Sequence, residues 1–188
     1  MRLIGITALI MAIGFTASAG CQTATSGKAG SVTDRPAEAS QKSLIDRLVG
    51  TWDVDYEIYG QDGSVRRYKG QAVYSWILDG SAVQEIWTSD AHNKTPQPYS
   101  TTIDFYDKKR QSWTVVWIYP AQGVTTIVTG GETDGRILFT GHDQAGAMQR
   151  WSATDIQPDS FLWRYESSKD EGKSWQLLGV NHMHRHRT

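Results

Sequence analysis

From Trp52 to Arg185 large apolar side chains return at every second residue, and polar ones fill the places between. Trp52, Val54, Tyr56 and Ile58 alternate with Asp53, Asp55, Glu57 and Tyr59. Successive side chains of an extended chain point to opposite faces, so a period of two marks a strand with one face buried. The same pattern continues through Arg66–Ile77, Ala82–Thr88, Thr101–Tyr106, Ser112–Tyr119, Val124–Gly131, Arg136–His142, Ala147–Ile156, Ser160–Ser167 and Ser174–Arg185. Between the segments lie Asp62-Gly63, Asp79-Gly80 and Asp134-Gly135, hairpin signals in which glycine takes positive φ without steric cost. Asp107-Lys108-Lys109-Arg110 and Gln157-Pro158-Asp159 are further polar breaks. Helical spacing occurs over Ser43–Val49, where Ser43 can cap and Leu44, Ile45, Leu48 and Val49 share a face. One short N-terminal helix followed by ten strands and tight turns predicts an all-β protein. A meander of that length closes into an antiparallel up-and-down barrel, which removes exposed edges.

The barrel segment is residues 43–188, the size of a single domain. Ahead of it the composition changes twice. Met1-Arg2, the apolar run Leu3–Phe15 and the small residues Ser18-Ala19-Gly20 have the layout of an export signal, too short to span a bilayer. Residues 1–20 are therefore read as a signal peptide ending at Cys21, the only cysteine of the chain. A single cysteine in an exported protein makes no internal disulfide, so it is either a stray thiol or a modification site. Residues 21–42 hold Val32 as their only large apolar residue and read as a flexible tether. The formal net charge is −1, which gives no broad attraction to nucleic acid. Oligomeric state is not legible.

The start of the chain resembles a bacterial lipoprotein, with Ser18 standing where a lipobox most often has Leu. The resemblance implies a lipid on Cys21 that anchors the protein to the membrane of the cell envelope. Gln22, in place of the Asp that favours inner-membrane retention, points to the outer membrane, facing the periplasm. Further on, Leu48-Val49-Gly50-Thr51-Trp52 resembles the opening of the calycin superfamily (lipocalins, fatty-acid-binding proteins and nitrobindins). There a short helix precedes Gly-x-Trp, the Trp plugs one barrel end, and a basic residue of the last strand packs on it. Arg185 or Arg187 is the candidate for that role on Trp52. Trp76-Ile77-Leu78-Asp79-Gly80, Tyr106-Asp107, Trp113 and Ser168–Trp175 follow in an order that resembles an uncharacterised lipocalin-like family of exported bacterial proteins. That family brings a fold and no agreed activity.

Two motifs carry local chemistry. Ser168, Asp170, Gly172, Ser174 and Trp175 fit the Asp-box pattern, a turn staple in which Asp170 accepts backbone amides and Trp175 packs beneath the hairpin. The loop lacks the further oxygens of a calcium site. His182, His184 and His186 alternate along the last strand and so share one face, from which two imidazoles can hold a metal. Asn181-His182-Met183-His184 also resembles the place where nitrobindins ligate haem, which makes His182 and His184 candidates for a transition metal or haem. The alternative is a solvated tail: if Arg185 turns inward to Trp52, Met183 goes with it and the His face turns out. His92 and His142 are the other histidines. Asp53, Asp55 and Glu57 lie out of phase with Trp52, Val54 and Tyr56 and read as solvent face. There is no nucleophile elbow, metalloprotease helix or phosphate loop.

The interior is where function is expected. Tyr56, Tyr74, Trp76, Trp117, Trp151, Trp163 and Tyr165 are the candidates to line a cavity for a small apolar or aromatic ligand. The alternative is that these rings simply fill the barrel. Four readings follow: a ligand-binding envelope lipoprotein, a haem or metal barrel, an enzyme, and a structural envelope protein with a filled barrel. The mark of an enzyme would be a buried acid or histidine facing the cavity with a displaced pKa.

Overall fold

A computed structural model describes residues 44–91 and 94–187. The signal peptide, Cys21, the tether, Ser43 and His92 lie outside the described residues. Helix α1 spans Leu44–Leu48 and is followed by β1 (Gly50–Tyr59), β2 (Val65–Ile77), β3 (Ala82–Ser89), β4 (Gln97–Asp107) and β5 (Ser112–Tyr119). A single 3₁₀ turn, Pro120–Gln122, leads to β6 (Val124–Thr133), β7 (Arg136–His142), β8 (Met148–Thr154), β9 (Ser160–Ser168) and β10 (Gln176–Arg185). Each strand pairs antiparallel with the next, and β10 returns to β1 from Trp52↔Arg185 to Ile58↔Gly179. The sheet is a closed ten-strand barrel, the all-β architecture the alternation predicts.

The strands start and stop for local reasons. Asp134 and Gly135 both have positive φ (49° and 74°), the geometry of a two-residue hairpin turn between β6 and β7. β4 begins at Gln97, four residues ahead of the predicted Thr101. Its opening was hidden by Pro98 and by a register shift opposite Trp87 and Thr88, which breaks the period of two at Tyr99. β10 begins at Gln176 because Ser174 and Trp175 are part of the turn before it.

One barrel end is plugged. Trp52 is fully buried and meets Phe161 edge-on at 4.7 Å between ring centroids. Its indole N–H donates to the Leu48 carbonyl at 2.7 Å, tying α1 across the opening. The Arg185 guanidinium lies 3.7 Å from the Trp52 ring centroid, and its Nη1 and Nη2 donate to Val49 O (2.8 Å) and Arg47 O (2.9 Å). Ile45 and Leu48 of α1, Ile137, Ala153 and Met183 complete a dry layer, each at most 3 % exposed. Arg187 instead faces Asp159 at the surface.

This plug explains the glycine of Gly-x-Trp. Gly50 has φ +132°, and a Cβ there would sit 2.4 Å from Arg185 Nη1. Gly50→Ala is therefore expected to cost about 1–3 kcal/mol through backbone strain and displacement of the guanidinium. A urea midpoint unchanged from the parent protein would contradict this account of the plug.

The far end carries the Asp box. Asp170 accepts from Ser168 Oγ (2.7 Å), Ser174 N (2.9 Å) and Ser174 Oγ (2.6 Å), while Gly172 N donates to Ser168 Oγ at 2.8 Å. The Ser174 bonds hold the Asp170 carboxyl down at about 2. Arg150, paired with both oxygens of Glu166 at 2.7 and 2.9 Å, lies 4.1 Å over the Trp175 ring.

Candidate functional site

Register fixes which side chains face the interior. Inward positions link Tyr74, Glu85, Thr102, Trp117 and Thr126 across β2 to β6. A second row links Phe139, Trp151 and Tyr165 across β7 to β9, and a third links Ala153, Trp163, Asn181 and Tyr56. All seven aromatic residues singled out from the sequence occupy inward positions. Val83, Ile137 and Met183, toward α1, are at 0 %, whereas Trp117, Tyr119, Trp151, Trp163 and Tyr165 are half-buried although they point inward.

Toward the end opposite α1 the inward face carries a chain of edge-on rings. Tyr56 meets Tyr99 (6.4 Å), Tyr99 meets Tyr119 (5.5 Å), Tyr119 meets Trp117 (5.8 Å) and Trp117 meets Trp151 (6.2 Å). The Tyr56 hydroxyl donates to Thr88 O at 2.7 Å. Burial pushes the Tyr56, Tyr74, Tyr99 and Tyr165 hydroxyls above their ordinary pKa, so all four stay neutral. Trp76 is inward near the plugged end and half-buried.

Below these rings lies a feature the sequence reading missed. Glu85 and Asp104, both 4 % exposed, face inward from adjoining positions of the paired strands β3 and β4. Glu85 Oε2 also accepts from Thr102 Oγ1 at 2.6 Å and Trp87 Nε1 at 2.9 Å. Burial raises the Glu85 carboxyl, and these donors oppose it. Burial raises Asp104 well above its ordinary value, and the adjoining Glu85 charge raises it further. The signal was available: Glu85 alternates in phase with Val83 and Trp87, and Asp104 with Thr102, so both acids sit in the buried phase of their strands.

Several buried polar atoms have no hydrogen-bond partner among the described residues. Tyr74 Oη, Ser100 Oγ, Asp104 Oδ1 and Asn181 Oδ1 belong to inward residues, while Thr114 Oγ1 lies on the outer side of β5.

The histidines face away from all of this. Met183 is buried and Arg185 turns to Trp52, so His182 and His184 lie on the outer face opposite Asp55 and Asp53. His186 Nδ1 approaches Asp53 at 3.0 Å. Lys69 donates to Asp55 at 2.8 Å and Arg67 to Glu57 at 3.0 Å. Two open clefts of about 570 Å³ each follow this charged flank, outside the barrel. Among the described residues no group of three His, Cys, Asp or Glu side chains could hold a metal ion. On the other side of the barrel, Ile103, Val116 and Ile127 form an outward apolar row, with Ile127 54 % exposed.

No protein-family model and no curated protein matches the sequence. Solved structures do match the fold. The S-type phycobiliprotein lyase CPES from Guillardia theta superposes with a TM-score of 0.56 at 9 % identity, over 77 % of this chain and 92 % of that one. Rv2717c from M. tuberculosis superposes with a TM-score of 0.53 at 15 % identity, over 76 % of this chain and 95 % of that one. With the plugged end and the closed ten-strand order, these likenesses make the domain a calycin-like barrel.

Proposed function

We propose that the barrel is a binding cup for a small, flat, largely apolar ligand that enters at the end opposite α1. The observation that supports this reading is the series of inward aromatic rings toward the end opposite α1, of which Trp117, Tyr119, Trp151 and Tyr165 are only half-buried. Concave, aromatic-lined spaces with a few convergent polar groups are the usual form of small-molecule sites. Native mass spectrometry of gently purified protein, together with quenching of its tryptophan fluorescence by added arenes, tests the cup. Saturable quenching that is lost in Trp151→Ala supports it. A protein that no arene quenches saturably does not have an accessible cup.

The same reading places the domain at the bacterial cell envelope, tethered by a lipid on Cys21 and facing the periplasm from the outer membrane. Its support is the signal layout and the single cysteine. No described helix is long and apolar enough to cross a membrane. A single acyl chain binds membranes only marginally, so a stable anchor needs the two or three chains of a lipoprotein. Metabolic labelling with a palmitate analogue is expected to mark the protein and to fail in Cys21→Ser. An enzymatic reading is favoured by one observation, the buried Glu85–Asp104 pair, and separates from simple binding by a mass change in the recovered ligand.

A further inference from the structure

We infer that the plugged end of the barrel docks on an anionic phospholipid surface, through the hairpin tip at Leu78, the uncharged outer face of β3 and β4 beside it, and the basic turn after β4. The inference rests on the envelope reading above for the presence of a bilayer and adds which side of the domain meets it.

Four observations converge. The first is a leucine that the fold does not need. Leu78 and Asp79, in the turn between β2 and β3, both take positive φ (52° and 53°), a conformation that bulky side chains seldom adopt. Packing does not offset this strain, because Leu78 is 72 % exposed. Its side chain therefore has its use outside the folded chain. The second is the sheet beside it. Ile77, Ala82 and Phe105 are direct partners across β2, β3 and β4, and Gln84, Ile103, Val116 and Ile127 form the next row. Outward positions from Ala82 to Ile86 and from Thr101 to Phe105 carry no charge. Among the described residues the exposed large apolar side chains, Val65 apart, all lie at this tip or on β3, β4 and β6. An apolar patch of that kind marks an interaction surface. The flank of β1, β2 and β10 instead carries Asp53, Asp55, Glu57, Arg67 and Lys69. The third is the turn after β4, where Lys108, Lys109 and Arg110 are all exposed. Asp107 of that turn accepts the Lys109 and Arg110 amides (2.9 and 3.2 Å) and lies 3.6 Å from the Arg110 guanidinium. Asp79 is the other acid of the two turns. The fourth is the entry of the chain. Leu44 N donates to the Glu132 carboxylate near the end of β6, so the chain from Cys21 reaches the barrel at the end that carries the patch. A nucleic acid would use the lysines and leave Leu78 and Phe105 without a role. A purely apolar partner would do the reverse. A bilayer surface takes both, with apolar tips at the acyl boundary and cations among the anionic headgroups. Docking this way turns the end opposite α1 toward solution.

Hydrogen exchange read by mass spectrometry tests the docking on the full chain as the cell exports it, on vesicles of pure phosphatidylcholine and of phosphatidylcholine mixed with phosphatidylglycerol. On the mixed vesicles the amides of residues 79–81 and 108–111 are expected to exchange about tenfold more slowly than on the pure ones, and those of residues 121–123, at the other end, at an equal rate. Leu78→Asn is expected to weaken docking about tenfold or more by removing the apolar tip. Asparagine accepts positive φ, so the urea midpoint of this variant is expected to equal or exceed the parent's, which separates lost docking from lost fold. Lys109→Gln is expected to weaken docking about fivefold. Lys69→Gln, on the charged flank, is expected to leave it unchanged. Tips that exchange as fast on mixed vesicles as on pure ones would overturn the inference, as would a folded Leu78→Asn protein that keeps the protection. Protection that appears without vesicles and grows with protein concentration would make a second copy the occupant and overturn it too. The intact mass keeps the anchor separate: acyl chains on Cys21 with unprotected tips refute the docking alone, and protected tips without acyl chains refute the anchor alone.

Discussion

Trp52→Ala is expected to cost about 3–5 kcal/mol of folding stability, the range seen when a buried aromatic is truncated to alanine. Small domains have about 5–15 kcal/mol in total, so the variant sits near the edge of folding. Several losses coincide at this residue. The ring is fully buried and its edge-on contact with Phe161 disappears, leaving a void beneath α1. The Leu48 carbonyl loses the indole N–H at 2.7 Å. The Arg185 guanidinium loses the ring it covers at 3.7 Å while its backbone partners stay in place. Urea unfolding followed by circular dichroism measures the change, with the slope on denaturant unaltered if both end states keep their extent. A cost under about 1 kcal/mol would mean that the residue is not a plug but a ring in a forgiving surface pocket.

What could be read in advance follows from the range of the interactions. Strand phase is local, so the inward set Tyr56, Tyr74, Trp76, Trp117, Trp151, Trp163 and Tyr165 was legible from alternation alone. The histidine face was legible as a conditional, because Met183 and Arg185 share a phase and His182 and His184 take the other. The start of β4 was not, since Pro98 and the extra residue at Tyr99 interrupt the period where the strand bends. The inward phase of Glu85 and Asp104 was legible too, but their nearness was not, since it needs β3 and β4 set in register, Glu85 against Thr102 and Val83 against Asp104. Pairing across a hairpin with a long loop is not encoded in either strand separately. The state of the mouth lay furthest from the sequence. Whether inward rings fill a barrel or leave it hollow depends on their packing in three dimensions, which strand phase does not encode.

Asp104→Asn is expected to stabilise the protein at alkaline pH, against the usual sign for a substitution in a core. Asp104 and Glu85 have ordinary carboxyl values of 3.8 and 4.5, and burial raises both in the folded chain. Unfolded, they release their protons near pH 4; folded, they hold them to higher pH. The stability that goes with this is complete below about pH 4 and is lost as pH rises, at about 1.4 kcal/mol per pH unit for each proton held, until the folded values are passed. Asparagine is neutral, so one of the two protons drops out of the account. At pH 4 parent and variant are expected to match closely. At pH 8 the variant is expected to lead by about 1–4 kcal/mol, the gain seen when buried ionisable groups are replaced by neutral ones. Asp170 acts in the opposite direction: held at about 2 by Ser174, it supports the fold above pH 3.8 and gives that support up as pH falls. The parent protein should therefore be most stable in mildly acid solution, with a decline on each side that has its own named carboxyl. Urea titrations at pH 4 and pH 8 decide the matter, and a variant that is weaker than the parent at pH 8 would remove the argument that the buried acids weaken the fold in alkaline solution.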